Sequence, residues 1–139
     1  MIRSHRSQEM RNAQLLLTVE SLTAADFNWI DRAIKVARKS EHRVRVGTVL
    51  IAGSRIVYAC NRIRNSPDIS YVHATVHAEM GAIRRHPKAR GGTIYVARLG
   101  SQGRLLPSFP CGRCFPEIVN ADIRRIVWWN GERWIRAKV

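Results

Sequence analysis

The chain has 139 residues, the size of one ordinary domain, and 45% of them are hydrophobic, so a core can form. No apolar run approaches the ~20 residues needed to cross a bilayer, which excludes a membrane partner, and we expect a soluble cytoplasmic protein. The formal net charge of +14 favours an anionic partner such as nucleic acid or a nucleotide phosphate. Because the basic residues are spread along the whole chain, a basic surface without a function explains the charge equally well.

Hydrophobic periodicity and turn residues divide the chain into alternating helices and strands. Thr23 is a good N-cap for the first long helix, Pro87 stops the second, and Pro110 suits the first turn of the third. The pair Asn130-Gly131 is typical of a tight hairpin, so the last strand should return antiparallel. In chain order the predicted elements are an arm or short helix over 1–22, a helix over 24–40, a hairpin over 44–60, a helix over 76–86, a strand over 93–99, a helix over 110–120, and strands over 123–129 and 132–137.

This order predicts an α/β fold. The alternation of the later strands and helices indicates a three-layer α/β/α sandwich around a mixed five-stranded sheet, with the last strand antiparallel. The domain is expected over residues 23–139, and residues 1–22 form a basic arm or short helix ahead of it.

Two short motifs carry the chemistry. His77-Ala78-Glu79 begins the second long helix, and Pro110-Cys111-Gly112-Arg113-Cys114 begins the third. Three cysteines are an odd number, which argues against a disulfide framework, and a close pair indicates metal or redox chemistry instead. Taken alone, the cysteines could be a redox pair and the His-Ala-Glu segment an ordinary helix surface.

Together the motifs give the pattern H-x-E followed by P-C-x-x-C, which resembles the cytidine deaminase-like superfamily over about residues 23–139. The resemblance implies a zinc ion bound by His77, Cys111 and Cys114, with Glu79 as the proton carrier. The physical chemistry is compatible with these roles, because cysteines three apart share a helix face and a helix start favours thiolates. Three protein ligands also leave a fourth position for water, as catalytic zinc sites do.

The resemblance further implies a hydrolytic reaction at C4 of a cytosine ring, which releases ammonia and leaves a uracil-type base. Glu79 would take a proton from the attacking water and pass protons to ring N3 and the leaving amine. Residues two apart on an ideal helix point about 200° from each other. His77 and Glu79 can therefore share a pocket only if one of them lies at the frayed start of the helix.

The expected substrate contacts are Asn61, Arg62, Ala78 and Pro110. Asn61 follows the predicted hairpin, where related deaminases often place an asparagine that contacts the sugar or the base, although a turn residue is the alternative. Arg62 could meet a phosphate, and a solvated loop explains it as well. Arg98, at the end of a predicted strand, is a weaker phosphate candidate.

Three functions stay open at this point. The first is deamination of a small substrate, namely cytidine, deoxycytidine or dCMP. The second is deamination of cytosine in single-stranded DNA or RNA, which the basic charge favours. The third is a non-catalytic binding module with the same fold.

We also expect a homo-oligomer, because members of the superfamily usually associate and the last hairpin contains three tryptophans, Trp128, Trp129 and Trp134. One of the adjacent tryptophans should be buried in the core, while the other could stack on a base or cover a subunit contact.

Overall fold

The computed structural model describes residues 17–63 and 75–139. Within these ranges the chain forms three α-helices, which are α1 (Ala24–Ala37), α2 (Ala78–Arg85) and α3 (Cys114–Asn120). The strands of the same ranges are β1 (Thr18–Glu20), β2 (Arg45–Ala52), β3 (Arg55–Cys60), β4 (Arg62–Ile63), β5 (Thr75–Val76), β6 (Thr93–Leu99), β7 (Leu105–Leu106), β8 (Arg125–Trp129) and β9 (Trp134–Lys138). No helix in the described ranges is long and apolar enough to span a bilayer.

Seven of the described strands form one mixed sheet. Its order is β1-β9-β8-β6-β2-β3, and β7 pairs with β6 off this path. The strands β6 and β8 run parallel, with Tyr95 opposite Val127, and the other described pairs are antiparallel. The short strands β4 and β5 form a separate two-stranded ribbon. Because β6 and β8 are parallel, their carboxyl ends meet at one edge of the sheet, which is where open α/β sheets place ligands.

Both faces of the central strands are buried, since successive side chains of a strand point to opposite faces. One apolar cluster includes residues of α2, α3 and the central strands, namely Ala82, Ile118, Leu50, Ile94, Val96, Ile126 and Trp128. A second cluster joins α1 to the alternate positions of the same strands, namely Ile30, Ala33, Val49, Tyr95, Ala97 and Val127. The first cluster supports α2 and α3, whose amino-terminal ends carry the two sequence motifs.

A buried ionic network, which we call the Asp26 network, ties the start of α1 to the sheet. Asp26 is 1% exposed and accepts hydrogen bonds from the Tyr95 hydroxyl at 2.6 Å and from Arg136 at 2.9 Å. It also forms a capping box with Thr23, whose backbone N–H donates to the Asp26 carboxylate at 2.7 Å. Burial raises the pKa of Asp26, but the bonds from Thr23, Tyr95 and Arg136 outweigh it and hold that pKa below its usual value. Arg136 also pairs with Glu20 of β1 at 3.3 Å.

The predicted mixed α/β fold and antiparallel last strand are confirmed, but the sheet has seven described strands rather than five. The additional strands are β1 and β7, which have only three and two residues and are too short to show a period-two pattern. Of the predicted arm, residues 18–20 pair with β9, and residues 1–16 lie outside the described residues. The three-layer arrangement and the domain boundary at residue 23 stay predictions.

The last hairpin has a longer loop than the Asn-Gly pair predicts. Trp129 pairs with Trp134, so the loop covers residues 130–133 and β9 begins two residues later than expected. The Asn130 side chain accepts the backbone N–H groups of Glu132 and Arg133, at 2.8 and 2.9 Å. This local bonding closes a four-residue loop in place of the two-residue turn.

Candidate metal centre and cavity

A cavity of about 620 Å³ lies where β6 and β8 end, beside the amino terminus of α2. It is lined by residues from both parallel strands, both motifs and the segment before β2. The described lining residues are His42, Arg43, Val44, Val46, Asn61, His77, Ala78, Glu79, Val96, Arg98, Pro107, Ser108, Phe109, Cys111, Trp128, Trp129 and Asn130. The cavity has the size of a typical site for a small organic ligand.

His77 and Glu79 both line this cavity although they are two residues apart. His77 is the N-cap of α2 and has an extended backbone, with φ −66° and ψ 143°, while Glu79 belongs to the first helical turn. The angular offset of an ideal helix therefore does not apply to this pair. The helix begins at Ala78, later than predicted, because residues 75–76 pair with β4 before the cap.

The third helix also begins later than the sequence predicts. Helix α3 starts at Cys114, so Cys111 precedes the helix and Pro110 is not its first residue. The Cys111 carbonyl oxygen accepts the N–H groups of Cys114 at 3.0 Å and Phe115 at 2.9 Å, which closes a turn ahead of α3. It is Pro116 that occupies the first helical turn, where a missing N–H costs no intrahelical bond.

The turn brings three metal-ligating side chains together. The ligand atoms of His77, Cys111 and Cys114 all lie within 4.8 Å of one another. The Nδ1 atom of His77 is 3.2 Å from the Cys114 sulfur and 3.5 Å from the Cys111 sulfur. In tetrahedral zinc coordination, bond lengths of 2.0–2.1 Å to nitrogen and 2.3 Å to sulfur separate these atoms by about 3.6 Å. The donor set and its spacing therefore fit a zinc ion.

Hydrogen bonding inside this group polarises the two thiols. The bond from Cys114 lowers the pKa of Cys111 to about 3, assisted by His77, so Cys111 is a thiolate at neutral pH. The same bond, together with burial, raises the pKa of Cys114 far above its ordinary value. The hydrogen bond with Cys111 raises the pKa of His77. A divalent cation held by these three side chains would replace the protons that they share, because metal ligation requires deprotonated thiols and a neutral imidazole.

Glu79 is a buried carboxyl group at the floor of the cavity. Its residue is 5% exposed, and burial raises its pKa above the ordinary value. The nearby Glu79 carboxyl contributes to the raised pKa of Cys114, so Glu79 lies close enough to interact with the ligand group. A carboxyl group with a raised pKa in a cavity can hold and return a proton, as a general acid and base must.

The expected substrate contacts divide into two groups. Asn61 and Ala78 line the cavity, whereas Arg62 is exposed and Pro110 is buried, and neither is among the described lining residues. The Asn61 amide is already used, since its oxygen accepts the Val46 N–H and its nitrogen donates to the Val44 carbonyl, both at 2.9 Å. With respect to residues 17–63 and 75–139, one amide N–H and one oxygen lone pair of Asn61 have no further partner.

Sequence reasoning missed several residues that line the cavity. Phe109 is 8% exposed, and its ring centroid lies 5.0 Å from that of Trp128 in an edge-on contact. Trp128 is the buried member of the tryptophan pair, at 4% exposure, while Trp129 is half-buried and packs edge-on against Trp134. The only sequence signal for Phe109 is its place directly before the cysteine motif.

Comparison with known proteins gives one family match. The family model of the cytidine and deoxycytidylate deaminase zinc-binding region matches residues 24–130 of the chain. That range contains both motifs and all the described lining residues of the cavity. No curated protein matches the sequence significantly.

Several solved structures are similar in fold. A cytidine deaminase from Burkholderia pseudomallei is 20% identical, with a TM-score of 0.61 over 84% of this chain and 92% of that one. A cytidine deaminase from Mycobacterium tuberculosis is 24% identical, with a TM-score of 0.54 over 78% and 88%. A dCMP deaminase from the cyanophage S-TIM5, in complex with dCMP and dUMP, is 17% identical, with a TM-score of 0.52 over 77% and 82%. At these identities the similarity shows a shared fold.

Proposed function

The chain belongs to the cytidine and deoxycytidylate deaminase family, and on that premise we propose that it is a zinc-dependent hydrolytic deaminase. Its substrate is the cytosine of a nucleoside or nucleotide, namely cytidine, deoxycytidine or dCMP, which it converts to uracil with release of ammonia. The observation that carries this proposal is the meeting of three metal-ligating side chains and one buried carboxyl group at a single cavity.

The zinc ligands of the proposal are His77, Cys111 and Cys114. They form a soft donor set, with two sulfurs and one imidazole nitrogen, in which His77 is the N-cap of α2, Cys114 begins α3 and Cys111 lies in the turn ahead of α3. Bound at such a three-ligand site, zinc lowers the pKa of water to about 7 and so supplies a nucleophile at neutral pH. Phe109 and Trp128 form apolar walls of the same cavity.

Glu79 is the proton carrier of the proposal. The carboxylate accepts a proton from the water that attacks C4 of the cytosine ring, and it delivers protons to ring N3 and to the amino group. The C4–N bond then breaks, so one water and one cytosine give one uracil and one ammonia. Burial supports this role, because it raises the pKa of Glu79 and so helps the carboxyl group to hold the proton between the two transfers.

A substrate panel tests the proposal. Purified zinc-loaded protein is incubated with cytidine, deoxycytidine, CMP and dCMP, and ammonia release and uracil formation are measured together. The proposal predicts equal amounts of both products from at least one substrate. The matched control is Glu79→Gln, which preserves the shape of the side chain and should abolish turnover. If no compound of the panel is converted, a small cytosine substrate is ruled out.

A second candidate function is deamination of cytosine in a single-stranded nucleic acid. The observation that favours it is the net charge of +14, together with exposed arginines at the mouth of the cavity. Binding to a short oligonucleotide should then be tight at low salt and weaken steeply as salt rises, with cytosine converted to uracil in the strand. Weak binding without conversion would leave the small-substrate function as the sole candidate.

The homo-oligomer is also a proposal. It is supported by Trp129 and Trp134, which are only half-buried and form an aromatic pair on the last hairpin. Light scattering of the purified protein at micromolar concentration should report a multiple of the 15.9 kDa chain. A single species of that mass would contradict it.

A further inference from the structure

Two arginines lie at the mouth of the cavity, on the side formed by β2 and β6. Arg98 belongs to β6 and pairs in register with Val46, and Arg43 lies three residues before Val46 in the chain. Both arginines are exposed, and both line the cavity that contains Glu79. A ligand that binds beside Glu79 therefore shares its cavity with these two arginines.

The segment that carries Arg43 is held in place by hydrogen bonds. The Ser40 hydroxyl donates to the Asn61 backbone carbonyl at 3.0 Å and accepts the His42 N–H at 3.2 Å. The Asn61 side chain bonds Val44 on the other side of the arginine. Arg43 is thus presented by an anchored loop, which lowers the entropy lost when it binds a ligand.

No acidic side chain of the described residues forms an ion pair with either Arg43 or Arg98. By contrast, Arg125 and Arg136 of the same sheet pair with Glu20. Glu79 is the single acidic residue among the described lining residues, and it is buried whereas both arginines are exposed. The mouth of the cavity is therefore positive.

We infer that Arg43 and Arg98 form a phosphate subsite, which takes the phosphate group attached to the cytosine nucleoside. This inference rests on the proposed function, since it places the nucleoside between the subsite and Glu79. Arginine suits the task, because its planar guanidinium donates paired hydrogen bonds to phosphate oxygens. The subsite makes the chain a nucleotide deaminase rather than a nucleoside deaminase, and it replaces Arg62 as the expected phosphate contact.

Equilibrium binding of the product tests the subsite without any turnover. Calorimetry compares dUMP with deoxyuridine on the zinc-loaded protein, and dUMP should bind at least about tenfold more tightly, as charge-assisted hydrogen bonds require. The variants Arg43→Gln and Arg98→Gln should each weaken dUMP binding by about tenfold and leave deoxyuridine binding unchanged. The matched control is Arg124→Gln, an exposed arginine at the opposite end of β8, which should change neither.

A further binding experiment distinguishes the phosphate of a free nucleotide from that of a nucleic-acid strand. It uses a short single-stranded oligonucleotide that has one internal cytosine. If the strand binds more tightly than dUMP, and if Arg43→Gln and Arg98→Gln both weaken the binding of the strand, the subsite is supported and its ligand is a phosphodiester. Equal binding of dUMP and deoxyuridine, or variants that behave like Arg124→Gln, would overturn the inference even if cytosine deamination is found. If dUMP binds tightly through both arginines but no cytosine compound is converted, the subsite stands and the proposed reaction fails.

Discussion

The protein buries charged groups in two regions, and the regions differ in how those charges are satisfied. In the Asp26 network, the carboxylate meets Arg136, Tyr95 and Thr23 at hydrogen-bond distances. In the site cluster of His77, Glu79, Cys111 and Cys114, a buried acid and two thiols face one imidazole and a cavity.

A satisfied buried network holds elements of the fold together, whereas buried groups that lack sufficient partners mark a place where a ligand completes the set. The two regions should therefore respond in opposite ways to substitution. Changes in the site cluster should remove turnover from a folded protein, and changes of the three ligands His77, Cys111 and Cys114 should remove the metal as well. Changes in the Asp26 network should reduce stability and preserve the chemistry of the molecules that fold.

The largest effect is expected for Cys111→Ser and Cys114→Ser, which should lose zinc and all measurable turnover. Both variants should stay folded, because α2 and α3 are held by the apolar cluster around Ile118 and Ala82 as well as by the metal. Their melting temperature should match that of the wild-type protein after treatment with a chelator. Metal analysis, circular dichroism and thermal melts check these expectations, and an unfolded Cys111→Ser variant would contradict them.

The next effect is a loss of stability for Asp26→Asn, on the order of 3 kcal/mol. The reason is that the substitution removes the buried charge that Arg136 meets at 2.9 Å and leaves only the longer pairing with the more exposed Glu20 at 3.3 Å. The matched control is Asp31→Asn on the same helix, where an ion pair with Lys35 at 3.1 Å is exposed on both sides and is worth roughly 0.5 kcal/mol or less. Urea denaturation measures both values. Zinc content and turnover per folded molecule should be unchanged in each variant.

A smaller effect is expected on the stability of the fold at acid pH. Because the folded-state pKa of Asp26 is held below its unfolded value, the unfolded chain binds more protons as the pH falls. The stabilisation is complete above about pH 4, the ordinary pKa of aspartate, and is lost as the pH falls through the lower folded-state value. Asp26→Asn should therefore flatten the dependence of stability on pH in this acid range, and Asp31→Asn should not.

Acid also releases metal from thiolate ligands, so this comparison is best made in the Cys111→Ser background. Unfolding free energies from pH 6 downwards are then compared between the two aspartate variants. Equal slopes for both would show that the Asp26 network does not stabilise the fold through its charge.

The sequence alone predicts the parts of this molecule that depend on local pattern. The strand β6 (Thr93–Leu99) has the predicted bounds, and the N-cap at Thr23 is confirmed by a capping box. Both are fixed by residues that are neighbours in the chain, so periodicity and capping chemistry reveal them. The ligand group is visible because the H-x-E and P-C-x-x-C motifs keep its members within short segments, which the structure then brings together.

The parts that sequence reasoning missed depend on contacts between distant segments. Strand β1 forms because it pairs with β9, more than a hundred residues later in the chain. Its three residues are too few to predict a strand by themselves. Arg43, Phe109 and Trp128 come from three separate elements, and only the packing of the sheet brings them to one cavity. Arg62 is exposed and is not among the described residues that line the cavity, and its role as a phosphate contact stays a prediction.

The most direct test of the account is the zinc content of Glu79→Gln beside that of Cys111→Ser. The account assigns three side chains to the metal and one to proton transfer. It predicts that Glu79→Gln retains one zinc per chain and the wild-type melting temperature, while turnover falls by at least about 10²–10⁴-fold. Cys111→Ser should lose both zinc and turnover. If Glu79→Gln lost zinc as completely as Cys111→Ser, the division into three ligands and one proton carrier would be wrong.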